Sequence, residues 1–288
     1  MGKYPLDASP ILSVKDVSNA YISRRYGAFG KKEEKKVLNH VSLEIARGEL
    51  FGLVGESGCG KTTLGKCILG LIDYEGEITI DGLKSGGMRA ARYQRSSLRR
   101  TRAVKVQAVF QNPAGALNPV MRVGWLLEEP LRVHAIGTKA EREKQVDEML
   151  DLVGLDLSYK KRKPRELSSG QKQRVSIGCA LMLRPKLIIA DEPVSALDVS
   201  VGAQILNLLR DLNRKLGLSL LFISHNLSLV YYLCDKIAVM RKGEILEQGT
   251  AEDIYSNPQN AYTRELLKAV PGLPVGTPDT PLRDYRAL

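Results

Sequence analysis

The sequence of 288 residues predicts an α/β protein built on a parallel sheet. Three observations support this fold class. Short apolar runs that are typical of buried strands occur at 50–54, 187–190 and 218–223. An amphipathic helix, with apolar residues recurring from Val201 to Leu216, connects the second run to the third. A strand, a helix and a further strand in this order indicate parallel strands joined by a right-handed crossover.

A glycine-rich segment follows the first of these strands. Residues 55–63, GESGCGKTT, fit the pattern G-x-x-x-x-G-K-[ST], in which backbone N–H groups close around phosphate oxygens. The next apolar residues are spaced three and four apart and predict a helix containing Leu64, Cys67, Ile68, Leu71 and Ile72. The N-terminus of that helix would direct its unpaired N–H groups at the bound phosphates.

We therefore expect this segment to bind a nucleoside triphosphate. Lys61 should reach the β- and γ-phosphates, and the Thr62 hydroxyl should be a ligand of Mg²⁺. The residues expected to contact the nucleotide are Gly55, Ser57, Gly58, Cys59, Gly60, Lys61, Thr62 and Thr63.

Two adjacent acids, Asp191 and Glu192, end the apolar strand 187–190. On an extended backbone their side chains would point to opposite sides, so different tasks are expected. Asp191 would hold Mg²⁺, and Glu192 would orient or deprotonate the attacking water. The alternative is a pair of surface acids without a catalytic role.

The remaining chain predicts several further elements. Strands at 11–14 and 41–45 flank a polar insertion, 23–36, that reads as an exposed loop. From about 113 to 186 helical periodicity dominates, which predicts an inserted helical subdomain. A capping box at 250–253 opens a terminal helix, and four prolines between 271 and 281 predict an extended tail. The expected organisation is one domain, 1–270, and a tail, 271–288.

Composition restricts the class of protein. The four cysteines are far apart and form no C-x-x-C pair, which argues against a zinc site or a disulfide framework and suits a reducing cytosol. No signal peptide and no apolar run long enough to span a bilayer is evident. We therefore expect a soluble chain, or one attached to a membrane only through partners.

The net charge of +11 is unevenly distributed. Arginines spaced three and four apart would form one basic helix face, which consists of Arg89, Arg92, Arg95, Arg99 and Arg102. Such a face suits an anionic membrane surface, or it is simply solvated. No aromatic residues alternate with these arginines, so no specific nucleic-acid binding is expected.

With these motifs assembled, the chain resembles the nucleotide-binding subunits of ABC transporters. Residues 167–171, LSSGQ, match the family signature LSGGQ except at Ser169. Residues 109–111, VFQ, match the Q-loop, residues 195–198, SALD, match the D-loop, and His225 matches the switch histidine. The resemblance implies a RecA-like parallel-sheet core, an antiparallel β subdomain, and a helical subdomain that carries the signature.

The resemblance also implies roles for single residues. His225 would contact the γ-phosphate, Gln111 would sense Mg²⁺ and the attacking water, and Tyr21 would stack on adenine. Neither His225 nor Gln111 would be informative without the surrounding motifs. The residues expected at the nucleotide shared between two subunits are Ser168, Gly170 and Gln171 of the signature and Asp198 of the D-loop.

Within the family, residues 111–119 and 257–267 are similar to importers of dipeptides, oligopeptides and nickel. Ala116 and Val120 depart from the serine and arginine usual there, and no cysteine follows Cys234, so the tail cannot hold the iron–sulfur cluster of some relatives. The resemblance implies an ATP-hydrolysing subunit that uses ATP and Mg²⁺ to power uptake of peptides or a nickel or metal-chelate solute.

The implied partners are a second ATPase subunit, either a paralogue or an identical copy, two membrane permease subunits and, indirectly, a solute-binding protein. The implied location is peripheral, on the cytoplasmic face of the inner membrane. A soluble ABC-type ATPase acting on nucleic acid or ribosomes is the alternative, opposed by the short stretch between Gln111 and Leu167. A catalytically inactive regulatory subunit is opposed by the presence of Glu192 and His225.

Overall fold

The computed structural model describes residues 9–24, 32–85 and 100–269. The chain divides into two compact units, Met1–Arg102 with Ser219–Leu288, and Ala103–Leu218. The described strands are β1 (Leu12–Arg24), β2 (Lys32–Ile45), β3 (Leu50–Val54), β4 (Glu75–Ile80), β5 (Leu83–Ser85), β6 (Val106–Val109), β7 (Leu187–Asp191), β8 (Ser219–Ser224), β9 (Lys236–Arg241) and β10 (Glu244–Thr250).

Helices are interspersed with these strands. They are α1 (Lys61–Leu69), α2 (Pro113–Ala116), α3 (Val123–Val133), α4 (Lys139–Leu152), α5 (Ser169–Leu181), α6 (Val199–Leu216), α7 (Leu227–Leu233), α8 (Ala251–Ser256) and α9 (Ala261–Lys268), with 3₁₀ turns at Leu157–Lys161 and Pro164–Glu166. Among the described residues, no helix combines the length and the apolar character needed to cross a bilayer.

The first unit contains an antiparallel sheet with strand order β2-β1-β4-β5. Its apolar residues alternate with polar ones, and facing pairs such as Leu12 with Ile80 and Val14 with Ile78 are buried. This is the antiparallel β subdomain expected from the sequence.

The predicted loop at 23–36 is wrong at both of its ends. Strand β1 continues to Arg24, and β2 begins at Lys32. Register shifts between Val14 and Ala20 show where the hairpin is bulged before it extends into this polar stretch. Antiparallel pairing uses backbone groups alone, so charged side chains do not prevent it when they are solvated. Residues 25–31 lie outside the described chain.

A second, mixed sheet contributes four strands to the first unit, in the order β10-β9-β3-β8. Strand β3 pairs in parallel with β8 and β9, while β10 is antiparallel to β9. All residues of β3 and β8 are buried, as parallel strands covered on both faces require.

Helix α1 is shorter than its periodicity predicts. Leu64, Cys67 and Ile68 are buried as expected, but the helix ends at Leu69 because Gly70 adopts a left-handed conformation, with φ of 70°. Leu71 consequently leaves the apolar face and is 59% exposed.

The second unit contains β6 and β7, which pair in parallel, and helices α2 to α6. Between Val109 and Leu187 the chain forms only helices and turns. The predicted helical subdomain, 113–186, lies inside this unit, and its limits as a separate subdomain stay a prediction. Asp198 caps α6, and Gly217 ends it in a left-handed conformation. The α/β class predicted from the sequence is confirmed.

Candidate functional site

The glycine-rich loop connects β3 to α1 within the first unit. Gly55, Gly58 and Gly60 have φ values of 153°, 81° and 115°, which side chains at these positions would rarely allow. A Cβ on Gly55 would lie 2.0 Å from the Met240 carbonyl oxygen, and one on Gly60 would lie 2.9 Å from the Val37 carbonyl oxygen. The loop therefore needs glycine both for its conformation and for its close contact with the neighbouring backbone.

Lys61, the first residue of α1, is buried beneath this loop. Its Nζ donates to the carbonyl oxygens of Gly55, at 2.7 Å, and Glu56, at 3.0 Å, and lies 3.8 Å from the Cys59 sulfur. Thr62, next in the helix, is exposed, and Thr63 is half-buried. The ammonium group thus lies inside the curve of the loop, where a polyphosphate would bind.

His225 lies at the same end of the parallel sheet as the loop. The register of β3 and β8 pairs Val54 with Ser224, the last residue of each strand. Gly55 and His225 therefore follow directly after neighbouring strand ends. His225 is exposed. The carboxyl ends of parallel strands are where ligands of such sheets bind.

Tyr21 lies on β1 of the antiparallel sheet, opposite Lys35 of β2. Its side chain is 45% exposed, so a flat aromatic surface is accessible at this position. Contact with adenine stays a prediction for this residue.

In the second unit, β6 and β7 bring the predicted Q-loop and acidic residues to one end. Val109 pairs with Ala190, so Gln111 and the acids at 191 and 192 follow neighbouring strand ends. Asp191 is 8% exposed, whereas Glu192 is half-buried. The extended backbone expected at Glu192 is wrong, because its φ is +50°. Its carbonyl oxygen accepts hydrogen bonds from the N–H and hydroxyl of Ser195, which turn the chain into the D-loop.

Asp198 of the D-loop caps helix α6. Its Oδ1 accepts hydrogen bonds from the Val201 N–H at 2.9 Å and the Ser200 hydroxyl at 2.8 Å. These two bonds, the Val201 N–H first, lower the pKa of Asp198 and keep it ionised.

The signature residues form the N-terminus of α5. Ser168 and Gln171 form a reciprocal capping box, and the Gln171 amide donates to the Tyr159 hydroxyl at 2.8 Å. Gly170 is buried against α6, where an added Cβ would lie 2.5 Å from Val201 Cγ1. Ser169, the departure from the family signature, is exposed in the first turn.

A cavity of about 200 Å³ lies among three of these motifs within the second unit. It is lined by Gln111 to Pro113 of the Q-loop, by Ser169, Lys172 and Gln173 of α5, and by Pro193, Ala196 and Leu197 near the D-loop. Gln173 is fully buried, and neither atom of its amide has a hydrogen-bond partner among the described residues.

Gln173 was not among the site residues predicted from the sequence. It lies four residues after Ser169 and hence on the same helix face, which was the available signal that it lines the same cavity.

The metal ligands expected from the sequence are Thr62, Gln111 and Asp191. A hydroxyl, an amide oxygen and a carboxylate are all oxygen donors, so their chemistry fits Mg²⁺. Within the described ranges, no group of three or more His, Cys, Asp or Glu could hold a metal ion.

Burial raises the pKa of Cys67 and of Cys179 to about 12, so both stay protonated. They act as small apolar side chains.

Arg102 corrects the prediction of a basic membrane-facing surface. It is 6% exposed and its guanidinium lies against Gly70, where an added Cβ would be 1.8 Å from Nη1. Arg102 therefore belongs to the packed interior and not to a solvated face. The other four arginines of that face, Arg89, Arg92, Arg95 and Arg99, lie outside the described residues.

Comparison with known proteins identifies this arrangement. The ABC transporter family profile matches residues 38–195. A putative peptide import ATP-binding protein of Brucella ovis is 44% identical over 281 residues, covering 97% of this chain and 83% of the relative. A dipeptide transport ATP-binding protein of Lactococcus lactis is 47% identical over 246 residues, covering 84% and 77%.

A solved structure agrees. A dimeric ATP-binding cassette in a post-hydrolysis state, bound to ADP and Pi, has a TM-score of 0.71 and 30% identity, and the match covers 83% of this chain and 98% of that one. Because the profile spans more than half of the chain and the two relatives match 97% and 84% of it, the chain belongs to the ABC transporter family, as one of its ATP-hydrolysing cassettes.

Proposed function

We propose that this chain is the ATP-hydrolysing subunit of an importer that takes up dipeptides or oligopeptides through separate membrane subunits. The observation that carries the ATPase function is the buried Lys61 ammonium inside a loop of glycines with positive φ. The peptide solute is supported by two relatives, a putative peptide import ATP-binding protein that is 44% identical and a dipeptide transport ATP-binding protein that is 47% identical.

In this proposal the loop residues Gly55 and Ser57 to Thr63 hold the phosphates of ATP. Lys61 Nζ carries three N–H donors, so it can bind the β- and γ-phosphates while the Gly55 carbonyl oxygen still orients it. Mg²⁺, when bound, neutralises charge on the phosphate oxygens, and Thr62, Asp191 and Gln111 would hold it.

The hydrolytic step is assigned to Glu192 and His225. Glu192 accepts a proton from, or orients, the water that attacks the γ-phosphate. His225 contacts the γ-phosphate, and Tyr21 stacks on adenine.

The functional assembly contains two cassettes. The signature of each, through Ser168, Gly170 and Gln171, completes the ATP site of the other, with Asp198 near the shared boundary. The second cassette is a paralogue or an identical copy, and the pair acts on two permease subunits that receive solute from a solute-binding protein. This chain lies on the cytoplasmic face of the inner membrane, and residues 1–270 form its ATPase domain, followed by the tail 271–288.

Reconstitution tests the proposal. The chain is co-purified with its membrane subunits, placed in proteoliposomes with ATP, Mg²⁺ and the solute-binding protein, and uptake of a labelled tripeptide is measured. Uptake should require ATP and disappear with Glu192→Gln. Uptake of a labelled nickel chelate in place of peptide would overturn the peptide assignment. ATP hydrolysis stimulated by RNA or ribosomes, without membrane partners, would overturn the importer function itself.

A further inference from the structure

A single peptide group of the phosphate-binding loop is held from both of its ends. The carbonyl oxygen of Gly55 accepts a hydrogen bond from Lys61 Nζ at 2.7 Å. The N–H of Glu56, which belongs to the same peptide group, donates to the hydroxyl of Tyr262 at 3.3 Å. Lys61 thus binds the carbonyl end of this peptide group, and Tyr262, which lies 206 residues after Glu56 in the chain, binds its N–H end.

Tyr262 is itself held firmly at the start of α9. Its side chain is 4% exposed, and its N–H donates to Asn260 Oδ1 at 2.9 Å. The N–H groups of Asn260 and Gln259 donate in turn to the two carboxylate oxygens of Glu247 on β10, at 3.1 and 2.6 Å. The entry to α9 is therefore anchored to the sheet that carries the loop.

The ring of Tyr262 is also fixed in position. The guanidinium of Arg241, the last residue of β9, lies 4.3 Å from the ring centroid, which is within cation–π range. Burial raises the pKa of the Tyr262 hydroxyl, which keeps it neutral. A neutral hydroxyl can accept the Glu56 N–H without placing an anion beside a phosphate site.

The hydrogen bond that Tyr262 accepts from Glu56 matters because Gly55 is conformationally permissive. Its φ of 153° is a conformation that glycine adopts readily and other residues rarely do, so the backbone of Gly55 does little by itself to fix the orientation of the peptide that follows. Rotation would turn the Gly55 carbonyl oxygen away from Lys61. A loop that samples several orientations has to be ordered when it binds ATP, and this ordering lowers affinity.

We propose that Tyr262 is a positioning residue for nucleotide binding, whose hydroxyl holds the Gly55–Glu56 peptide so that Lys61 and the loop are pre-ordered for phosphate. The inference rests on the proposed binding of ATP at this loop. It makes the C-terminal helix α9 part of the nucleotide site, through one hydrogen bond and without contact to the ligand.

The test compares two tyrosine hydroxyls in the full-length chain. Tyr262→Phe removes the hydroxyl that faces the loop. Tyr255→Phe removes a second buried hydroxyl of the same unit, which donates to the Leu227 carbonyl, and serves as the matched control. ATP affinity is measured by equilibrium binding, melting temperature by calorimetry, and ATP turnover in the complex with the membrane subunits.

We expect Tyr262→Phe to raise the Kd and KM for ATP about 3- to 10-fold, the effect of one hydrogen bond, with kcat at saturating ATP within about 2-fold of wild type. Both variants should lower the melting temperature to a similar extent, because each loses one buried hydrogen bond. Tyr255→Phe should nevertheless leave ATP affinity unchanged. ATP affinity in Tyr262→Phe that equals or exceeds that of wild type would overturn the proposal. Equal loss of affinity in both variants would do the same, because it would indicate a general loss of stability.

Failure of the proposed function would be recognised separately. If wild type binds no ATP, or binds it equally well after Lys61→Ala, then the loop is not the nucleotide site. Intact, Lys61-dependent binding in wild type with no effect of Tyr262→Phe would reject the role of Tyr262 alone.

Discussion

Glu192 has a left-handed backbone, with φ of +50°, directly after the buried strand β7. For a residue with a Cβ this conformation costs on the order of 1 kcal/mol, and such residues concentrate at functional sites. Two hydrogen bonds, from the hydroxyl and the N–H of Ser195 to the Glu192 carbonyl oxygen, stabilise this conformation. Because of this turn, the acid leaves the strand while Asp191 stays buried, and the two carboxyl groups acquire different surroundings.

Substitution of Glu192 should separate binding from turnover. Glu192→Gln keeps the size of the side chain and removes its basicity, so ATP affinity should persist while turnover falls by a factor of about 10² to 10⁴. The measurement is ATP binding and phosphate release by the assembled transporter. Glu143→Gln, an exposed change on α4, is the matched control and should behave as wild type. Wild-type turnover in Glu192→Gln would remove Glu192 from the catalytic role.

At the scale of elements, helix α5 packs closely on α6 at a single glycine. Gly170 is buried, and an added Cβ would lie 2.5 Å from Val201 Cγ1. The same residue is the second glycine of the family signature, so the motif has a packing requirement in addition to its proposed contact with nucleotide. Ser169 beside it is exposed and has no comparable restriction.

Gly170→Ala should therefore destabilise the protein by about 1–3 kcal/mol, the usual cost of overpacking. Gly202→Ala on α6 is the matched control, because its Cβ would lie 3.7 Å from Val194 and the better helix propensity of alanine should make it neutral or stabilising. Chemical denaturation measures both. Val201→Ala should rescue Gly170→Ala in a double-mutant cycle, and a purely additive cycle would contradict the contact.

At the scale of the whole molecule, ATP hydrolysis is proposed to need two chains. A solved relative with a TM-score of 0.71 is a dimeric cassette bound to ADP and Pi. Ser168 is exposed at the N-terminus of α5, as a residue that faces a second subunit would be. The signature of one chain would then serve the ATP bound by the other.

Ser168→Arg should act on the partner cassette. A bulky cation at the phosphate-facing position should leave ATP binding at Lys61 of this chain nearly intact and abolish vanadate trapping at the other chain's loop. With two different cassettes, photolabelled nucleotide is followed in each chain separately. Arg165→Ser, an exposed change just before the signature, controls for charge effects and should preserve trapping. Trapping lost only in this chain's own loop would mean that the signature acts in cis.

The sequence by itself determined the features that depend on residues close together in the chain. Strand β3, the glycine loop and the start of α1 were predictable because glycine conformations and helix periodicity are local properties. The acids after β7 follow from the same short-range rules, because an apolar run marks the strand that they end. The positions of the proposed site residues could therefore be named without coordinates.

Only the tertiary structure decided what lies beside those residues. The hydrogen bond from the Glu56 N–H to the Tyr262 hydroxyl, the cavity beside Gln173 and the burial of Arg102 each depend on residues that are distant in sequence or belong to different elements. Local patterns carry no information about such contacts. A series of arginines spaced three and four apart looks the same in the sequence whether one of its members is buried or solvated. The partners of a side chain are set by packing of the whole fold, and packing is a property of the assembled chain.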